Sequence, residues 1–374
     1  MIRHPARAMD FTDLVEGLEA ARAAGYIYRR FDAETGRALY CYTSKCVYDE
    51  VWTDITVLAR GLILDPAERR IVATPFPKFF NVGEGGRPVP DLPFESFEKL
   101  DGSLAIIHHH GGRWRAATKG AFDSDQARWA EAWLDTHDLS VLDQGTTYLA
   151  EATYPENRIV IRYDEPNLVL LAAYAGDGTE ASYDEVLAIA AALRWPVAER
   201  KSYSSYAALI AETAILPKTA EGFVLRYSDG TRFKAKGAEY RRVHALISRC
   251  TPLAMWEAMA AGDDMAAIRQ DLPEEFWSDF DDITAILQGG YDALVARIAA
   301  AAASLAHLSD KDLGLTLGTL PAETRPYLFA YRKTGASFAP KARQALFRQI
   351  RPMANELAGY VPSYAMGRVK EEAA

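Results

Sequence analysis

The chain has 374 residues, 49% hydrophobic and 25% charged, the make-up of an ordinary globular protein long enough for two domains. A net charge of −9 argues against a surface coated in basic groups, although phosphate binding depends on where the cations cluster. No apolar run approaches the ~20 residues of a membrane span, the segment Met1–Arg7 lacks a secretory apolar stretch, and Cys41, Cys46 and Cys250 contain no C-x-x-C pair, so a reducing cytoplasm is expected, without a disulfide framework or structural zinc.

Residues 104–108 read as a strand, Gly111-Gly112 as its turn and residues 114–118 as its return. Residues 123–137 predict a helix opened by acidic and cap-forming residues. Residues 148–152 and 158–163 read as a second hairpin, turning through Pro155 and Asn157. Ser182 followed by Glu185 has the capping-box spacing of a helix start. Residues 222–227 and 232–236 form a third hairpin about Ser228-Asp229-Gly230. Strands and helices without strict β-α-β alternation imply an α+β core of antiparallel sheets flanked by helices. Past residue 245 the chain becomes alanine-rich and amphipathic, with helices expected over 291–308 and 336–350. The expected division is therefore 1–245, the core with an N-terminal extension, and 246–374, all helical.

Charge is segregated in the second part. Residues 257–292 hold ten acidic residues and one basic, whereas residues 325–351 hold seven basic residues and no acidic one. Tyr327, Phe329, Tyr331, Phe338 and Phe347 lie in the same basic stretch. Cations with aromatics suit single-stranded nucleic acid, and a solvated helix face over core rings explains them equally well. Arg332, Lys333, Arg343 and Arg348 are the candidate RNA contacts.

The most informative segment is Glu98-Lys99-Leu100-Asp101-Gly102, just before a strand. A lysine amine attacks phosphorus only when neutral, and a free lysine has a pKa of ~10.4, so such a lysine needs desolvation or neighbouring cations. Glycine lets the backbone turn close to a phosphate, and the aspartate can hold the lysine or a metal-bound water. Further along, Glu151 ends a strand, Glu221-Gly222 opens another, and Lys234-Ala235-Lys236 closes the next. Residues two apart on a strand share a face, so Lys234 and Lys236 can enter one cleft and neutralise departing pyrophosphate.

This ordered set resembles the motifs of covalent nucleotidyltransferases: DNA ligases, RNA ligases and mRNA capping enzymes. Arg60-Gly61, Lys78-Phe79-Phe80-Asn81, Thr118-Lys119-Gly120 and Tyr154-Pro155-Glu156-Asn157-Arg158 narrow the likeness to the RNA ligase 1 family, of bacteriophage tRNA-repair type, over residues 55–240. The resemblance implies that Lys99 becomes the lysyl-AMP nucleophile and that Asp101 and Gly102 shape its loop. It places Arg60, Lys78, Lys119, Lys234 and Lys236 on phosphates, Glu151 on the ribose or a metal-bound water, and Glu221 on a divalent metal or its waters. The implied cofactors are ATP, as AMP donor, and Mg²⁺ or Mn²⁺. The implied partner is RNA with 5′-phosphate and 3′-hydroxyl ends, nicked tRNA included; the basic stretch, not the resemblance, makes the helical domain the expected RNA-recognition element, and no membrane is expected. A nucleotidyltransferase acting on DNA ends or with GTP, and a non-catalytic RNA-end-binding protein, are the competing readings. His108-His109-His110 is expected not to bind metal, because a strand puts only two of the three on one face.

Overall fold

The computed structural model describes residues 2–247, 250–272, 276–353 and 356–362. Two compact units divide between Arg241 and Arg242.

The first unit holds the thirteen strands found among the described residues: β1 (Ile27–Asp32), β2 (Arg37–Tyr42), β3 (Arg60–Asp65), β4 (Arg70–Ala73), β5 (Phe80–Asn81), β6 (Phe94–Glu98), β7 (Ser103–His110), β8 (Arg113–Ala117), β9 (Thr147–Thr153), β10 (Asn167–Tyr174), β11 (Arg200–Lys201), β12 (Gly222–Tyr227) and β13 (Arg232–Lys236). They form three sheets, ordered β1-β2-β3-β4, β10-β9-β7-β8 and β11-β6-β12-β13-β5. Every pairing between strands is antiparallel except the short one between β13 and β5. The unit is thus an α+β core of antiparallel sheets with flanking helices.

Alternation fixes which faces meet. Leu39, Ile63, Ile106, Ala117 and Leu149 are buried together between the first two sheets. The other face of the second sheet buries Ala105, Ile107 and Ala150 beneath helices Asp125–Asp135 and Tyr183–Leu193. Ser182 caps the latter helix in a capping box with Glu185, as its spacing predicts. In the third sheet Phe223, Leu225 and Phe233 pack on the helix Tyr206–Ile215.

One predicted hairpin is wrong. β9 pairs with β10, and residues 158–163 form no strand. Pro155–Asn157 makes a 3-10 turn, and the carboxylate of Asp101 takes the amides of Val160 and Ile161, both at 2.8 Å, removing them from any ladder.

In the second unit the longest helix runs Trp277–Ser304, earlier at its start than the predicted 291–308, and Pro340–Gln349 stands for the predicted 336–350. Two clusters hold this unit together. Met255, Phe280, Leu287 and Phe347 anchor one, and Ile298, Tyr327, Leu328, Phe338 and Leu346 the other. Of the acidic stretch, Glu274 and Glu275 lie outside the described residues. No described helix is long and apolar enough to cross a membrane, and all three cysteines are free and buried.

Candidate active site

Lys99 directly follows β6, and its amide donates to the carbonyl of Gly222 at 2.9 Å, so the lysine loop is stitched to the start of β12. Gly222 has φ +139°, and a Cβ there would strike the Ala235 carbonyl on β13, so only glycine keeps Glu221 and Lys236 side by side. The Lys99 amine lies 2.7 Å from Oε2 of Glu221, an ion-pair distance without hydrogen-bond alignment. Lys236 holds the other oxygen of Glu221 at 2.9 Å.

A cleft of about 540 Å³ opens on this trio. Arg60, Lys99, Gly102, Lys119, Glu151, Lys234 and Lys236 all line it, so seven residues singled out from sequence converge. Glu221 flanks it through its contact with Lys99. Lys78 is set back from the lining, with its amine 3.9 Å from the Phe80 ring centroid and 3.6 Å from Glu84. Arg60 Nη1 is buried without a hydrogen-bond partner among the described residues, a donor for an anion in the cleft.

The electrostatics favour phosphate. Burial, reinforced by Lys78, Lys236, Lys99 and Arg60, pushes the Lys234 amine down to about 7. A polyanion would relieve that crowding. Desolvation pushes the Glu151 carboxyl up to about 7, with Lys99 opposing and Glu221 adding to the rise. Burial also lowers Lys78, against the pull of Glu84.

The Lys99 amine pairs with Glu221 rather than with Asp101. Asp101 is 2% exposed, and its oxygens accept from Val160, Ile161 and the hydroxyl of Tyr240, the last at 2.6 Å. Its amide donates to Tyr163 Oη at 3.0 Å. Asp101 is therefore the tether of the lysine loop. Gly102 donates to Glu151 Oε1 at 3.1 Å, and a Cβ there would lie 2.5 Å from the Ala152 carbonyl. Tyr163 and Tyr240 were missed from sequence, since only folding brings them to Asp101.

The basic stretch of the helical unit divides. Tyr327, Phe338 and Phe347 are buried in its cores rather than offered to bases. Arg332 pairs with Asp310 at 2.9 Å and Arg343 lies 4.9 Å over the Phe347 ring, whereas Lys333 and Arg348 are exposed. In the histidine triple, strand alternation puts His108 and His110 on one face, buried against Arg37 and Arg70.

An antiparallel α+β unit whose cleft sets a lysine amine beside carboxylates and a row of phosphate-ready cations has the make-up of a nucleotidyltransferase domain. Residues 58–240 match the family model described as RNA ligase, T4 type 1. A putative bifunctional polynucleotide kinase/RNA ligase of Autographa californica nuclear polyhedrosis virus is 27% identical over 247 residues, covering 57% of this chain and 35% of that protein. An RNA ligase of Rhodothermus phage RM378 is 24% identical over 193 residues, 40% of this chain and 43% of its own. RNA ligase 1 of bacteriophage TS2126 is 29% identical over 130 residues, 30% and 33% of the two chains. This chain therefore spans less than half the length of each of these relatives.

Proposed function

We propose that the protein is an ATP-dependent RNA ligase that joins 5′-phosphate and 3′-hydroxyl RNA ends in the cytoplasm, in repair of broken RNA such as nicked tRNA. The observation that carries this reading is the contact of the Lys99 amine with Glu221, itself paired to Lys236, in a cleft shared with Lys234, Lys119 and Arg60. The family match and the RNA ligases among its relatives support it.

Lys99 attacks the α-phosphorus of ATP. A nitrogen–phosphorus bond forms, and the bond to pyrophosphate breaks with its electron pair leaving on oxygen. Lys234, Lys236 and Arg60 meet the departing charge. AMP then passes to the RNA 5′-phosphate, and the 3′-hydroxyl displaces it to seal the strand. Glu151 reaches the ribose or a bound water, and Lys119 and Lys78 add phosphate contacts. Among the described residues no group of three or more His, Cys, Asp or Glu forms a ready-made metal cage. A divalent cation, Mg²⁺ or Mn²⁺, would be held by Glu221, with phosphates and water completing its shell, a common arrangement for Mg²⁺. Such an ion would add charge neutralisation at the phosphates.

The helical unit is assigned to RNA recognition. The test is sealing of a 5′-phosphorylated oligoribonucleotide with ATP and Mg²⁺, against DNA oligonucleotides and against GTP. Sealing of RNA with ATP alone supports the reading; sealing of DNA, or use of GTP, replaces it with the broader nucleotidyltransferase reading.

A further inference from the structure

Beside the cleft three rings from separate segments meet edge to face. Tyr42 and Trp52 have centroids 5.1 Å apart at 85°, and Trp52 and Phe80 5.6 Å apart at 77°. In an edge-to-face contact the edge of one ring meets a single face of its neighbour, which leaves the opposite face of that neighbour free of it. The Lys78 amine lies 3.9 Å from the Phe80 centroid and 5.0 Å from that of Trp52; the Arg87 guanidinium lies 4.0 Å from Phe80, and the Lys119 amine 5.5 Å from Tyr42. All three rings are half-buried, and Lys119 is exposed. Glu84 sits 3.6 Å from Lys78 and also accepts from the amide and side chain of Asn81, so it trims this positive patch without cancelling it. The Lys78 amide donates to Val57 at 2.7 Å, fastening the Lys78–Phe80 segment to the loop that carries Trp52.

Phe80 packs against the core of the third sheet, whereas Tyr42 and Trp52 belong to none of the core clusters, unlike Tyr327, Phe338 and Phe347 in the helical unit. Here half-open rings and cations stand together at the lip of the cleft, which Lys119 also lines. We propose that Tyr42, Trp52 and Phe80, with Lys78, Arg87 and Lys119, form a stacking platform for single-stranded RNA next to the end being joined. Phe80 organises the cations. Trp52 and Tyr42 offer faces to bases, and the cations meet the intervening phosphates on the way to the cleft. This deepens the ligase reading and rests on it for the identity of the strand.

The test measures binding of a 5′-phosphorylated oligoribonucleotide by the full chain without ATP, by fluorescence anisotropy at several salt concentrations. Trp52→Ala is expected to weaken binding about tenfold, equivalent to about 1.4 kcal/mol, with Trp52→Phe restoring most of it. Arg87→Gln is expected to reduce the salt slope by ~0.7, the value of one lost single-strand phosphate contact. Transfer of AMP to the protein, read in parallel, should change less than RNA binding in both variants. Unchanged RNA affinity and salt slope would overturn the platform. So would equal losses of RNA binding and AMP transfer, which would make the patch a support for the nucleotide site. Absence of AMP transfer in the unaltered protein would count against the ligase reading alone, because binding is read without ATP. Equal affinity for DNA would retain the platform and widen its ligand.

Discussion

Glu221 bridges Lys99 and Lys236 as an ion pair, 2.7 Å from the first amine and 2.9 Å from the second, while only 3% exposed itself. A buried carboxylate between two amines orients both, and removing its charge leaves them to repel each other. Glu221→Gln is expected to slow AMP transfer to Lys99 by about 10²–10³-fold, the usual cost of one electrostatic contact in a preorganised site. Single-turnover labelling, with circular dichroism to show an intact fold, checks it; a loss under about fivefold would contradict this role.

The state of Lys234 gives a pH prediction. Its amine titrates at about 7, so it is charged below that pH and neutral above, whereas a free lysine stays charged to ~10.4. Affinity for α,β-methylene-ATP, which resists adenylyl transfer, should therefore fall as pH rises from 6 to 8.5. Lys234→Arg, charged throughout, should flatten that profile. Isothermal titration at several pH values reads both, and identical slopes in the two proteins would count against it.

Asp101 is predicted to act through the loop it holds. Asp101→Asn keeps one acceptor for the contacts with Val160, Ile161 and Tyr240 but introduces an amide donor into a set of donors. The expected cost is ~1–3 kcal/mol in urea unfolding of the first unit, with slower labelling. Unaltered stability would mean that the tether does not matter to the fold.

The basic residues of the helical unit should separate into two kinds. Arg332 pairs with Asp310 and donates to the Leu305 carbonyl, so Arg332→Gln is expected to lower the thermal midpoint. Lys333 and Arg348 are exposed, and the double change Lys333→Gln, Arg348→Gln should leave the midpoint in place while reducing RNA affinity and its salt slope. Unchanged RNA binding in that double variant would remove these residues from the interface.

What could be read in the sequence was whatever depends on short spacing. Lys234 and Lys236 enter one cleft because strand side chains alternate, and the Ser182–Glu185 cap follows from a three-residue interval. The segment 158–163 was misread as a strand because its apolar alternation is local, whereas its fate is set by Asp101, some sixty positions away in the chain. Tyr240 and the group of Tyr42, Trp52 and Phe80 were invisible for the same reason. The aromatic residues of 325–351 looked available to bases by composition, but helical spacing turns Tyr327, Phe338 and Phe347 inward. Composition reports which groups are present, and packing decides which remain at the surface.

The central claim is that Lys99 takes AMP from ATP. The purified protein, first freed of any bound AMP with pyrophosphate, would be incubated with ATP labelled at the α-phosphate and Mg²⁺, then denatured and tested for covalent label. The account predicts label on the unaltered protein and none on Lys99→Ala. Label that persists in Lys99→Ala, or its absence from folded, AMP-free unaltered protein, would contradict it.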